Sequence, residues 1–474
     1  MRRKVRLHQV ELMLLLARIA SFPVLTFFLS GFCLYGKGDP DSFQVVAYNV
    51  ENLFDVDGVS LYNDYQPEMY GMPELENKLN VISKVLKKIG GKTGPDIILF
   101  QEIEVDRTPG KYLSATEHLL KELNLNGLGP YYHRLGYNPE DSNDQWPAVH
   151  CLTLSKFPIK QSYLHFLHKA RPILETTILI EGHFFTLFNN HWKSGASSHE
   201  MEIIRIQNAQ VLRNRIDRLI EQDPTIDFLV GGDLNSHYNQ SFVYQNHMKK
   251  TGINHVLQSR GTEPSEESIN KGLYNLWYEL APNQRGSDEW RGKWGTLMNL
   301  LIPSSLYDRK GIRYVADSFQ IEAFDGLNKI EGLEIPLKWS NELNGFGASD
   351  HFPISARFRT SGNPPQQGNN FPEAETTHRP VTYEKAKKNA GIWNRSKLDP
   401  SNFGKTFRFS GIVSKKKPLT LKIGEFYLRI YSFDSETKKR LFSQSVGSKI
   451  AGHGYLSRYR GQWQLIVAKP DWID

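Results

Sequence analysis

Phe228-Leu229-Val230-Gly231-Gly232-Asp233-Leu234-Asn235-Ser236-His237 ends an apolar run that begins at Ile226. The run reads as a buried strand, and the paired glycines predict a point where the backbone leaves the sheet at angles other residues avoid. Asp233 and Asn235, two positions apart, then face one cleft if the extended geometry persists. A carboxylate beside a carboxamide supplies an acceptor and a switchable donor, a pair suited to orienting water and holding an oxyanion. Gly-Asp-x-Asn suits a plain turn equally well, so the reading depends on what the other strand ends carry.

Outward from this stretch, apolar runs over 43–48, 96–100, 148–155, 173–180 and 184–190 predict further strands. The first ends in Asn49-Val50-Glu51-Asn52-Leu53-Phe54-Asp55, the second delivers Gln101 and Glu102, and the last ends in Asn189-Asn190-His191-Trp192-Lys193-Ser194. Leu75, Leu79, Ile82, Leu86 and Ile89 predict a helix, stopped by Gly90-Gly91 and Gly94-Pro95. A longer helix over 200–221 is expected to bury Ile203, Ile206, Leu212, Ile216 and Leu219. Residues 240–295 give no regular pattern; 294–302 and 311–320 read as strands, and Ser349-Asp350-His351-Phe352-Pro353-Ile354 closes the body.

The 474 residues suffice for two or three domains, and 39% hydrophobic with 12% aromatic content describes a globular chain. Cys33 and Cys151 are the only cysteines, which excludes a disulfide framework. The net charge of +7 is unevenly placed: residues 381–474 hold 19 Lys and Arg against 7 Asp and Glu, a local excess of +12, leaving −5 for the rest. Such asymmetry points to an accessory part that grips a polyanion. Arg2, Arg3, Lys4 and Arg6 precede an apolar segment over 19–35, which reads as an export signal spanning 1–35. Leu29-Ser30-Gly31-Phe32-Cys33 is a degenerate lipobox, so surface anchoring at Cys33 stands beside secretion; Met13 is an alternative start.

Five strand ends therefore carry Asn49, Glu102, His191, Asp233 with Asn235, and Asp350 with His351. A hard divalent ion needs only one or two carboxylates plus water, and an imidazole titrating near neutrality can move a proton, so this inventory suits metal-assisted hydrolysis of a phosphate ester.

The ordered set YNVENLF, DIILFQEIE, NHWKSG, GGDLNSH and SDHFPI resembles the endonuclease/exonuclease/phosphatase superfamily, the deoxyribonuclease-I-like fold, over roughly residues 43–359. The resemblance implies a four-layer α/β/β/α two-sheet sandwich with the site at one edge between the sheets. By motif, Glu102 is the expected principal metal ligand, for Mg2+ with Mn2+ or Ca2+ as alternatives, with Asn49 and Asp350 beside it. His191 is expected on the phosphate or leaving group, Asp233 and Asn235 on the attacking water, His351 as base or phosphate contact, and Arg171 and Lys193 on the phosphate. Asn299 falls where the family has an Asp that orients the last histidine; an amide cannot stabilise imidazolium by charge, so a weakened enzyme is expected.

The domain limits expected are 40–359 for the catalytic body, 360–380 for a Pro-, Gln- and Asn-rich linker and 381–474 for a basic domain. Short strands with interleaved basic and aromatic residues predict that the last is a small OB-like barrel, with Tyr459, Arg460 and Trp463 among its nucleic-acid contacts. The expected partner is DNA or RNA, hydrolysed by an exported nuclease. A sphingomyelinase-type enzyme entering bilayers through 62–70 or 277–294, and a binding protein without catalysis, are the alternatives.

Overall fold

The computed structural model describes residues 42–265, 272–290, 292–341, 345–360, 362–363, 365, 367–374, 383–459 and 461–474. The expected export segment with Cys33, and Arg460, lie outside these. Among the described residues no helix is long and apolar enough to cross a membrane.

Two sheets face each other. In the first, β1 (Ser42–Leu53) runs parallel to β2 (Ile97–Glu104) and antiparallel to β16 (Ile354–Arg359). β4 (Val149–Ser155) and β3 (Tyr132–Leu135) extend it on one side, β14 (Arg313–Tyr314) and β15 (Gln320–Ile321) on the other. The second has the order β5 (Ile159–His165), β6 (Ile173–Ile180), β7 (His183–His191), β8 (Phe228–Asp233), β13 (Met298–Ile302), β10 (Leu273–Asn275) and β9 (Ser259–Arg260). Strand alternation sorts the side chains. Val45, Ala47 and Leu99 meet Leu187, Leu229 and Leu300 between the sheets. Val46, Tyr48, Ile98 and Phe100 turn outward to α1 (Met72–Gly90) and α2 (Ala115–Leu125). On the far side, Phe188, Phe228 and Val230 pack under α3 (His199–Gln222). The result is the α/β/β/α sandwich expected.

The glycines of the opening stretch act differently from expectation. β8 does not stop at them but continues to Asp233, with Gly232 paired to Asn190 and Asp233 to His191. A Cβ at Gly231 would meet Leu99 Cδ1 at 2.7 Å and Leu300 Cδ2 at 2.9 Å, so that glycine lets the sheets close. Gly232 alone takes a left-handed φ, +117°, with Asn190 O at 2.3 Å from where a Cβ would sit.

The face of α3 also differs. Ile203 is 48% exposed, whereas Glu202 and Arg205 are buried beside Ala209, Leu212, Ile216 and Leu219. An ion pair displaces the isoleucine because both charges find full sets of partners inside. Residues 294–302 form not one strand but β12 (Lys293–Gly295), hairpin partner of β11 (Asp288–Trp290), and then β13 in the second sheet. Residues 311–320 shrink to β14 and the start of β15.

Glu279 is buried with one oxygen, Oε2, accepting from Tyr314 Oη at 2.6 Å and the other unpartnered. Burial pushes its carboxyl up to about 8, with the Tyr314 hydrogen bond opposing. A carboxyl raised on folding contributes stability that is complete below the unfolded value near 4.5 and is lost as pH rises through about 8. Thermal denaturation from pH 5 to 8 is therefore expected to fall less steeply in Glu279→Gln than in wild type, by on the order of 3 kcal/mol in stability across the range.

At the C-terminal end, β18 (Thr406–Lys416), β19 (Leu419–Ile423), β20 (Phe426–Tyr431), β22 (Gln462–Ile466) and β21 (Lys449–Tyr459) close into a five-stranded barrel through β18–β21 pairing. β17 (Gly391–Ile392) flanks β18, and α4 (Ser435–Ser443) stands between β20 and β21. The barrel interior, with Phe409, Leu421, Leu428 and Leu465, is continuous with Trp294, Leu333, Ile335, Leu337 and Phe352 of the sandwich. Within the expected linker, residues 367–374 are tied along the body: Phe371 N donates to Tyr278 O, Asn239 Nδ2 to Ala374 O and Arg285 Nη1 to Pro372 O.

Candidate active site

β1 and β2 both break register near their C-terminal ends, between Asn49 and Leu53 and between Phe100 and Ile103. Glu51, Asn52 and Glu102 there adopt left-handed φ values of 50°, 61° and 68°. Non-glycine residues rarely do so, and bulges of this kind re-aim side chains beside active sites. The consequence is direct: Asn49 Nδ2 donates to Glu102 Oε1 and to Asp233 Oδ2, both at 3.0 Å, joining the two sheets through one amide. Asn49 Oδ1 is held by Glu51 N at 3.0 Å.

From the second sheet, β7 presents His191 and β8 Asp233. His191 Nε2 stands 3.6 Å from Glu102 Oε1, 3.7 Å from Asp233 Oδ2 and 3.5 Å from Arg171 Nη1. Asp233 Oδ1 accepts from Asn235 N at 2.8 Å, and Asn235, at φ 46°, gives its Nδ2 to Trp192 O. His351 Nε2 lies 3.6 Å from Asp350 Oδ1 and 3.9 Å from Asp233 Oδ2. Ser349 Oγ, which donates to Asn49 O at 2.6 Å, accepts from His351 N. Asn49, Glu102, Arg171, His191, Asp233, Asn235, Asp350 and His351 thus come together from separate strand ends.

Four expected residues do not join them. Lys193 has its carbonyl held by Arg205, and its ammonium makes no hydrogen bond or ion pair with the other candidates. Tyr459, exposed, and Trp463, half-buried under Arg458, are on the barrel. Asn299 is fully buried, donating to Ser236 O, Thr296 O and Leu297 O and accepting from Asn275. It braces the loop after β8, where a charged carboxylate would have faced three carbonyl oxygens. The extra carboxylate beside His351 is Asp288 of β11, whose backbone bridges His351.

Glu51, Lys78 and Asp288 were not foreseen. Glu51 lies inside YNVENLF and could have been read from it; its Oε2 accepts from Trp339 N at 2.8 Å. Lys78 sits on the apolar stripe of α1 between Leu75 and Leu79, and that misplaced charge was the available signal. Its Nζ bonds Glu51 O, and burial pulls it down to about 8 against the pull of Glu51. Asp288 carries no motif.

The two histidines are driven apart. Burial, then Arg171 and His351, hold His191 well below its ordinary value, so its ring is neutral. Burial disfavours the charge on His351, but Asp350, Asp233, Asp288 and Glu102 overcome it and raise the ring to about 9. Burial and the charge of Asp350 raise both Glu102 and Glu51, the latter to about 8. Crowded carboxylates that repel one another seek a cation, so Glu102 and Asp350 fit a hard divalent ion. Among the described residues no three His, Cys, Asp or Glu side chains form a closed metal cage; magnesium keeps several waters and needs none.

Residues 158–360 match the model of the Endonuclease/Exonuclease/phosphatase family. No curated protein matches the chain. Among solved structures, truncated TDP2 of Caenorhabditis elegans is similar at 15% identity, over 67% of this chain and 98% of that one, with a TM-score of 0.40. Beta toxin 275-280 of Staphylococcus aureus is similar at 16%, over 66% and 99%, TM-score 0.39. An endonuclease/exonuclease/phosphatase family protein of Bacteroides thetaiotaomicron is similar at 15%, over 68% and 100%, TM-score 0.39.

Proposed function

We propose that the chain is a divalent-metal-dependent phosphodiester hydrolase whose substrate is nucleic acid. The supporting observation is the amide of Asn49, which fixes the Glu102 and Asp233 carboxylates while two oppositely tuned imidazoles face the same point. Held by Glu102 and Asp350, magnesium, or manganese or calcium in its place, would supply Lewis acidity at the phosphate. Asp233, fixed at both oxygens, accepts the proton of the attacking water, and Asn235 Oδ1 orients it. Charged His351 donates to a non-bridging oxygen, while Arg171 and neutral His191 steady the opposite side of the phosphorus. The water enters in line with the departing oxygen.

Nucleic acid is favoured over lipid by two features. The C-terminal excess of +12 suits a polyanion. The barrel's order, first-second-third-fifth-fourth-first with a helix before the fourth strand, supports its OB-like reading. For the lipid alternative, Tyr65, Tyr70, Trp277 and Trp294 are core, which leaves Met69 and Trp290 as the exposed large apolar side chains of the two stretches. Export, to the medium or to a surface anchor at Cys33, belongs to the same proposal, and the mass of the mature chain tests it.

Plasmid DNA, RNA and sphingomyelin vesicles, each incubated with magnesium or with a chelator, separate the readings. Nucleic-acid cleavage that stops on chelation and in Glu102→Ala is expected. Phosphocholine release without cleavage would overturn the substrate, and binding without any product would overturn catalysis.

A further inference from the structure

The β11–β12 hairpin grows directly out of the site. Asp288 bridges His351, and Ser287 O accepts from Phe352 N at 2.6 Å. Two residues on, and therefore on the same face of the ribbon, comes Trp290, about 7 Å farther out. Its side chain is 64% exposed, the most exposed tryptophan among the described residues. Lys338 Nζ stands 5.2 Å from the centre of its ring and donates to Glu289 O at 3.3 Å. The next residue, Trp339, binds the carboxylate of Glu51 through its backbone N–H. A flat aromatic face and a cation thus stand together at the rim of the carboxylate group, linked to it at both ends.

Resting on the hydrolase reading above, we propose that Trp290, with Lys338, is a specificity-determining platform on which an unpaired nucleobase next to the scissile phosphate stacks. An indole offers its face to any base, and the ammonium beside it meets the neighbouring phosphate. A base within a duplex has both faces covered, so the platform selects single strands or unpaired ends. Membrane insertion fits the hairpin poorly. Bilayer binding needs a continuous apolar surface, and Trp290 is flanked by Glu289, exposed Lys293 and Lys338.

The test compares two probes of equal charge, an oligothymidylate of about eight nucleotides and its abasic counterpart, bound to the full chain in chelator and followed by fluorescence anisotropy. Wild type is expected to prefer the base-bearing strand by about tenfold. Trp290→Ala should erase that preference while leaving abasic affinity in place, and Trp290→Phe should retain most of it. A preference that survives in Trp290→Ala, or an equal loss for both probes, overturns the proposal. So does phosphocholine release from sphingomyelin vesicles that depends on Trp290 while base preference is unchanged. A base preference lost with Trp290 in a wild type that cleaves nothing supports the platform and defeats the hydrolase reading instead.

Discussion

Asp233→Asn is expected to lower kcat on nucleic acid by about 100- to 10,000-fold, the range for losing a general base. The change is nearly isosteric, but both Asp233 oxygens accept: Oδ1 from Asn235 N, Oδ2 from Asn49 Nδ2. An amide must turn its NH2 toward one of those donors, so the variant loses both the negative charge and one of the bonds that aim the group. Since Asn49 also holds Glu102, the disturbance reaches the carboxylate on which a cation would sit. KM should move far less than kcat, because in the proposed mechanism Arg171 and His351 still meet the phosphate. Initial rates over a substrate series, with circular dichroism to verify folding, check this; a kcat within threefold of wild type would remove Asp233 from the chemistry.

The second large effect is on stability. Arg205 and Glu202 are buried together, with Arg205 Nη2 2.6 Å from Glu202 Oε2. Arg205 also donates to the carbonyls of Lys193, Gly195 and Ala196, and Glu202 accepts from Gly252 N. Arg205→Ala leaves a carboxylate uncompensated and three carbonyls short of a donor, which costs about 3–5 kcal/mol and lowers Tm by about 3–6 °C. Pairing Arg205→Met with Glu202→Leu should recover a good part of the loss, because the apolar pair leaves no stranded charge. Thermal denaturation of the single and double variants measures both. Failure of the double variant to rise above the single one would mean that the carbonyl contacts to the loop behind His191 dominate.

The strands were legible wherever an apolar run ended in polar residues: 43–48, 148–155, 173–180 and 184–190 all lie within or almost coincide with observed strands. The family resemblance that the ordered motifs carry then implied the two-sheet sandwich. What stayed hidden was set by contacts distant in sequence. Residues 132–135 and 159–165 form strands with exposed faces, so no apolar run announces them. α2 went unpredicted, although Ser114 and Glu117 at its start form a capping box through mutual hydrogen bonds. At the site, residues that end buried strands could be found because a carboxylate there stands out. Asp288 lies in an irregular region and reaches His351 only through the fold, and Asn299 had the right neighbours in sequence while its carboxamide is spent on backbone carbonyls.

The hydrophobic interior shared by barrel and sandwich, from Phe409 and Leu465 through to Trp294 and Phe352, has one more implication. Phe352 follows His351, and Trp294 pairs across the ribbon with Glu289, so the seam runs just behind the reacting groups. A strand gripped by the barrel would be anchored at a set span from the cutting point instead of on a swivelling arm. On the proposed nuclease reading such a molecule would act as a ruler, and fragment lengths would carry the signature of its own dimensions.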